Sequence, residues 1–237
     1  MNQHVLALPN GERIAYLLER RQRKTIGMKI TAEGLVVHAP LRLKQTDLEG
    51  LLLTKARWIS TKLKARQASA LPAMQWVDGA SLLWLGEPIT LEIIPAARNS
   101  RPRLEQGILS LTTTNIDDHA SIARRVVQLY HKQAMEDFAR RLQLLATKLG
   151  EPLPPLALSN ARTRWGSCNS RREIRLNWRL IQAKPSIINY VIAHELAHLR
   201  EMNHSARFWA VVASIYPEYR QAELALKQCS ALLYQLG

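Results

Sequence analysis

Hydrophobic and polar positions change period several times along this chain of 237 residues. Over residues 1–40 the two kinds alternate, which is the period of a strand. Lys24-Thr25-Ile26-Gly27-Met28-Lys29-Ile30 alternates, Ala32-Glu33-Gly34 supplies a turn, and Leu35 to Pro40 resumes an extended run. After Pro40 the spacing lengthens. Leu48, Leu52, Ile59 and Leu63, joined by Leu51 and Trp58, predict one helix to residue 67. Residues 81–94 read as a hairpin turning at Gly86-Glu87-Pro88, and residues 103–113 as a further strand.

A long helix is predicted over residues 118–149. Ile122, Val126, Tyr130, Ala134, Phe138, Leu142, Leu145 and Leu149 recur at three- or four-residue steps, and Gly150 ends the run. Glu151 to Pro155 form a stiff, proline-rich connector. Leu156 to Leu158 and Thr163 to Trp165 read as short strand pieces, Gly166 to Ser170 as a turn, and Glu173 to Leu180 as a strand. The last of these would put Ile174, Leu176, Trp178 and Leu180 on one face. Pro185, a favoured first-turn residue, opens a helix that runs through Leu199. Arg200 to Asn203 break its apolar pattern, a helix follows over 205–214, and another follows Pro217. No internal repeat and no low-complexity tract is visible.

Composition narrows the class. Hydrophobic residues make up 47% and charged residues 22% of the chain, the balance of a globular protein with a real core. No apolar run approaches the ~18 residues that span a bilayer, so no membrane partner is expected. The first residues lack the order of a secretory signal, and a cytoplasmic location is expected. Two cysteines, Cys168 and Cys229, are too few for a disulfide framework or a Cys-rich zinc site. Charge narrows the class further. Lys and Arg number 33 against 19 Asp and Glu, a net charge of +14, which favours anionic partners, nucleic acid among them. Residues 1–70 hold 13 basic and 5 acidic side chains. The predicted helix there carries Lys55, Arg57, Lys62, Lys64 and Arg66, and residues 160–180 hold six Arg with Glu173 as the sole acid.

The chemistry concentrates at His194-Glu195-Leu196-Ala197-His198, followed by His204. Residues four apart stack on one face of a helix, so His194 and His198 can offer their imidazoles to one metal ion. This is the H-E-x-x-H spacing of zinc hydrolases, in which the Glu acts as general base towards a water on the metal. Zinc, or another divalent transition metal, is the cofactor expected. A catalytic zinc takes three protein ligands and leaves one position for water. His204 is one candidate for the third, six residues on and past a polar break that can fold back. Glu218 and Glu223 are the alternatives, as in enzymes with two His and a Glu. Glu195 is the candidate general base. Arg164, beside the Gly166 turn, is the candidate substrate-binding residue, able to stabilise an oxyanion or a phosphate. Cys168 has no neighbouring His in sequence, so a nucleophilic role is disfavoured.

Residues 160–209 carry a more specific signal. Arg164-Trp165-Gly166-Ser167-Cys168, then Ile174-Arg175-Leu176-Asn177-Trp178, then His194 to Leu199, then Asn203-His204-Ser205 and Phe208-Trp209, stand in the order of the YgjP-like metallopeptidase domain family. The chain resembles that family over these residues, and more loosely over its N-terminal half. The resemblance implies a minimal zincin core, an active-site helix packed on a small sheet with a preceding helix behind it. It also implies a metal held by His194, His198 and His204, with Glu195 catalytic. The fold class expected is therefore α+β. Residues 1–115 form an N-terminal β-rich basic region with one helix, and residues 116–237 the zincin-like core; the two can also be one continuous domain. Motif and fold do not establish the substrate. A peptide substrate uses the site as it stands. The Arg-rich approach and the net charge keep open a phosphorylated small molecule, with hydrolysis of a nucleotide phosphoanhydride. A third reading is a nucleic-acid-associated protein with a metal site.

Overall fold

The computed structural model describes residues 2–8, 11–31, 34–68 and 74–236. The chain divides into two compact units, Met1–Ala70 and Leu71–Gly237. The strands over residues 81–113 therefore share a unit with the long helix and all that follows it.

The first unit is a four-stranded sheet with two helices. Strands β1 (Asn2–Ala7), β2 (Arg13–Arg21), β3 (Gly27–Thr31) and β4 (Gly34–Pro40) lie in the order β1-β2-β4-β3. The turn read at Ala32-Glu33-Gly34 falls largely outside the described residues. Helices α1 (Gln45–Thr54) and α2 (Ala56–Ala68) follow. Leu48, Leu52 and Ile59 join Tyr16, Leu35 and Val37 in one apolar core. The single helix expected after Pro40 is thus two. The chain leaves helical geometry at Lys55 (φ −104°, ψ 7°), whose N–H bonds back to the carbonyls of Leu52 and Leu53.

The second unit opens on a sheet of the same design. Strands β5 (Ser81–Trp84), β6 (Glu87–Pro95), β7 (Arg103–Glu105) and β8 (Ile108–Thr113) lie in the order β5-β6-β8-β7. In both sheets the middle pair is parallel and the outer pairs antiparallel. The repeat is topological, and the sequence does not display it. The β5–β6 turn is made by Leu85 and Gly86, both at positive φ, one residue earlier than the sequence suggested. The strand expected over 103–113 is a hairpin, because Gln106 and Gly107 also take positive φ and reverse the chain.

Helix α3 (His119–Leu149) follows, capped at its start by the Asp118 carboxylate on Ser121 N–H and ended by Gly150 in the left-handed region. Its stripe Ile122, Val126, Tyr130, Ala134, Phe138, Leu142, Ala146 and Leu149 is buried. A third sheet comprises β9 (Leu156–Ser159), β10 (Gly166–Cys168) and β11 (Ile174–Asn177), with β11 central, antiparallel to β10 and parallel to β9. Two expectations change here. Gly166 to Cys168 form an edge strand rather than a turn, and Thr163 to Trp165 are not a strand. The strand expected to Leu180 stops at Asn177, and Trp178–Gln182 form a 3-10 helix. The apolar alternation continues across that boundary because both halves are buried. The Asn177 carboxamide oxygen accepts from Arg179 N–H and starts the turn.

Helix α4 (Pro185–Ala197) lies at the centre of this unit. It packs on α3, on β10 and β11, and on the last helices α5 (Ala206–Ile215) and α6 (Tyr219–Leu233). Ile187, Ile188, Tyr190, Val191, Ile192, Leu196 and Ala197 are buried in one core with the α3 stripe. At about 1.5–3 kcal/mol per buried large side chain, this burial holds α4 rigidly between sheet and helices. The Asp137 carboxylate on α3 binds Arg141, whose guanidinium also donates to the Asn189 carboxamide on α4 at 2.9 Å. Among the described residues no helix is long and apolar enough to cross a membrane.

Candidate metal centre

The last turn of α4 carries His194 and His198 on one face, and the chain then reverses. Leu199 N–H bonds to the carbonyl of Leu196, and Arg200 and Glu201 N–H bond to that of Ala197. None of residues 199–204 has a positive φ, so a side chain at Glu201 is no obstacle to this turn. Ser205 then caps α5, its hydroxyl accepting from Phe208 N–H. His204 is thereby fixed one residue before the cap, facing the end of α4.

The three imidazoles meet. One ligand-type nitrogen from each of His194, His198 and His204 lies within 4.8 Å of the others. His204 Nε2 and His194 Nε2 are 3.0 Å apart. The Phe208 ring contacts all three imidazoles, with centroids 4.7 Å from His198 and His204 and 4.9 Å from His194. His198 Nδ1 lies 3.1 Å from the Glu201 carbonyl, a contact in which Nδ1 donates and Nε2 keeps its lone pair. Glu218 and Glu223 do not join the cluster; among the described residues it consists of the three His.

Burial favours the neutral form of the His194 and His198 rings. Desolvation, then the neighbouring imidazoles, pulls His194 down to about 4, and desolvation also lowers His198. Neutral imidazoles are the form that donates a lone pair to a metal. Three imidazoles converging, two with ring nitrogens at hydrogen-bond distance and no carboxylate in the set, fit a borderline Lewis acid such as Zn²⁺.

Glu195 points elsewhere. It is 5% exposed and lies against β10. A β-carbon added at Gly166 would meet its Oε1, Cγ and Cδ at 2.5–2.7 Å, so only glycine leaves room for the carboxylate there. The backbone N–H of Cys168 donates to that carboxylate. Desolvation raises the Glu195 carboxyl to about 8, opposed by the Arg164 charge and by the Cys168 N–H. Arg164 is itself exposed, on the segment that leads into β10. The Cys168 thiol is pushed up by burial and by the Glu195 charge, which disfavours a thiolate.

The Arg-rich stretch does not form a single patch on the site. Arg164 acts on Glu195, whereas Arg172 pairs with Glu151 at 2.6 Å and Arg179 is buried, donating to Asn160 and to the Leu236 carbonyl. Trp165 stacks on Tyr234 at 4.5 Å and donates to Ser230, so it anchors α6. Cys168 and Cys229 are both free thiols.

Sequence reasoning missed Asn177 as a support of the site. Its side chain is fully buried and donates to the carbonyls of Ala161 (2.7 Å) and Arg164 (3.4 Å), holding the segment that delivers Arg164 and Gly166. Its signals were a polar residue inside an apolar alternation and a place in the Ile174 to Trp178 segment of the family pattern. Tyr190, one turn before His194 on α4 with its ring 6.0 Å away, was missed too.

Two solved structures show a partial likeness. The metallopeptidase zymogen abylysin of Pyrococcus abyssi is 19% identical, covering 38% of this chain and 93% of its own, with a TM-score of 0.36. The metallopeptidase zymogen jannalysin of Methanocaldococcus jannaschii is 18% identical, covering 38% and 94%, with a TM-score of 0.35. No curated relative matches the chain. The family model described as YgjP-like, metallopeptidase domain, matches residues 24–229, and this chain belongs to that family.

Proposed function

We propose that this protein is a zinc-dependent peptidase whose metal is held by His194, His198 and His204 and whose general base is Glu195. The observation that carries this reading is the convergence of three imidazoles within 4.8 Å, next to a carboxylate buried on the helix that bears two of them. When bound, such an ion acidifies a water and polarises a carbonyl.

The chain's own residues supply the rest. The Glu195 carboxylate, held by Gly166 and the Cys168 N–H, takes a proton from the attacking water at one oxygen. It then returns that proton to the departing amine. Its desolvated setting raises its proton affinity well above that of an exposed carboxylate, which strengthens it as the acceptor of that proton. The Arg164 guanidinium lies close enough to act on Glu195, which supports a role for it in offsetting negative charge that develops on the substrate. Strand β10 is the edge of its sheet, paired on one side with β11. An extended peptide can add to such an edge through main-chain hydrogen bonds, which favours a peptide substrate over a nucleotide.

Metal analysis of the gently purified chain should find about one transition metal per chain, lost when His194 and His198 become Ala. Wild type and Glu195→Gln should then be assayed side by side on casein or unfolded protein and on a nucleotide panel. Cleavage of protein by wild type and its loss in a metal-replete Glu195→Gln variant are the expected results. Release of phosphate or pyrophosphate without peptide cleavage would replace the substrate class, and activity in Glu195→Gln would remove the general base.

A further inference from the structure

A groove of about 830 Å³ runs between α5 and α6 beside the metal centre. Its lining residue Trp209 stands next to the imidazoles. The Trp209 ring lies 5.8 Å from that of His194 and 6.2 Å from that of His204, and it stacks on Tyr219 at 5.3 Å with the planes 18° apart. Glu223, another lining residue, is close enough for its charge to act on His194 and Tyr190. On the α5 side Ala206 and Ala210 stop at a methyl group, so space is left open next to the aromatic pair.

The charges of the groove are unevenly matched. The Glu223 carboxylate is committed to Lys227 at 2.6 Å. Arg220, also lining the groove, donates from Nε to the Tyr219 hydroxyl at 3.2 Å, and among the described residues no carboxylate pairs with its guanidinium. The ring contacts therefore lead from the imidazoles to Trp209, to Tyr219, and then to an uncompensated cation 5.8 Å from the Tyr219 ring.

We propose that this groove is a specificity subsite that takes an aromatic side chain of the peptide substrate, with Arg220 selecting an acidic residue next to it. The inference rests on the peptidase reading and adds which peptides the site prefers. An aromatic ring gains offset or edge contacts with Trp209 and Tyr219, where the paired rings and the two alanines leave a flat apolar wall. The neighbouring carboxylate then meets a guanidinium already oriented by the Tyr219 hydroxyl, a charge-assisted contact. A solvated crevice between two surface helices would not discriminate among peptides.

Binding and cleavage test this separately. Full-length, metal-loaded Glu195→Gln protein is titrated calorimetrically with three peptides identical except for one adjacent pair, Phe-Asp, Ala-Asp or Phe-Lys. Wild type is assayed for cleavage of the same three. The expected result is an affinity for the Phe-Asp peptide about tenfold or more above either of the others. Adding Ala210→Phe, at an exposed helix position, should erase the preference for Phe. Adding Arg220→Glu should shift preference from Phe-Asp to Phe-Lys. Metal content should stay at the parent level in both. Equal affinities for the three peptides, or a preference that survives both substitutions, overturns the subsite. Cleavage that persists without discrimination overturns the subsite alone, whereas a metal-loaded wild type that cleaves no peptide overturns the peptidase reading.

Discussion

The Glu195 side chain rests on the backbone of Gly166, and a β-carbon there would stand 2.5 Å from its Oε1. Glycine is required at this position by a neighbour's carboxylate and not by its own backbone, since Gly166 is absent from the positive-φ positions. Gly166→Ala should push the carboxylate out of place. A displacement near 1 Å at a reacting group costs about 100-fold in rate. We expect that loss in kcat with metal content unchanged, read by activity and metal analysis on the same sample. A variant with wild-type kcat would break the link between the two residues.

Glu151 ties together the two segments that flank the site. Its carboxylate pairs with Arg200 at 2.9 Å and Arg172 at 2.6 Å, and these contacts, Arg200 first, hold it below the ordinary value of 4.5. A carboxyl depressed in the folded state contributes stability that is present above its unfolded value and lost as pH falls through the folded one. Glu151→Gln should therefore lower Tm at neutral pH, and the gap to wild type should close as pH drops below 4.5. A gap constant across that range in thermal melts would refute the pairing.

Asn177 satisfies two carbonyls, of Ala161 and Arg164, and one N–H, of Arg179, with a side chain that is fully buried. Asn177→Leu keeps approximate size but orphans those groups. The cost should be about 2–4 kcal/mol, read from the urea midpoint at unchanged slope. Because the released segment carries Arg164, kcat/KM should fall as well.

Metal should stabilise the folded chain measurably, since the three imidazoles converge only in the native state. At a free zinc concentration about 100 times Kd the gain is about 2.7 kcal/mol. It should appear as a rise in Tm that His198→Ala abolishes and chelator reverses. Equal shifts in wild type and His198→Ala would place metal binding elsewhere.

Much of the fold could be read along the chain because its signals are local. The α3 stripe from Ile122 to Leu149, the Gly150 stop and the Pro185 start all act within a turn or two and stand where the spacing put them, save that Ala146 is buried where Leu145 was expected. Strand ends were harder. The apolar alternation through Ile174, Leu176, Trp178 and Leu180 did not reveal that a strand becomes a 3-10 helix at Trp178, since burial continues on both sides. Nor could a repeated sheet order be seen, because pairing β2 with β4 and β6 with β8 is decided between segments far apart in sequence.

The helix that bears His194, Glu195 and His198 follows from the spacing of its own residues, because a four-residue step and an apolar face are set by helical geometry alone. The sequence also placed His204 among the candidates for the third ligand. That His204, and not Glu218 or Glu223, meets the other two was settled by the folded chain, because the turn after Ala197 and the Ser205 cap set the direction of return. The tertiary structure likewise turned Gly166 from a presumed turn residue into the strand backbone that Glu195 rests on. Local periodicity fixes which side chains share a face, whereas the packing of distant segments fixes what that face meets.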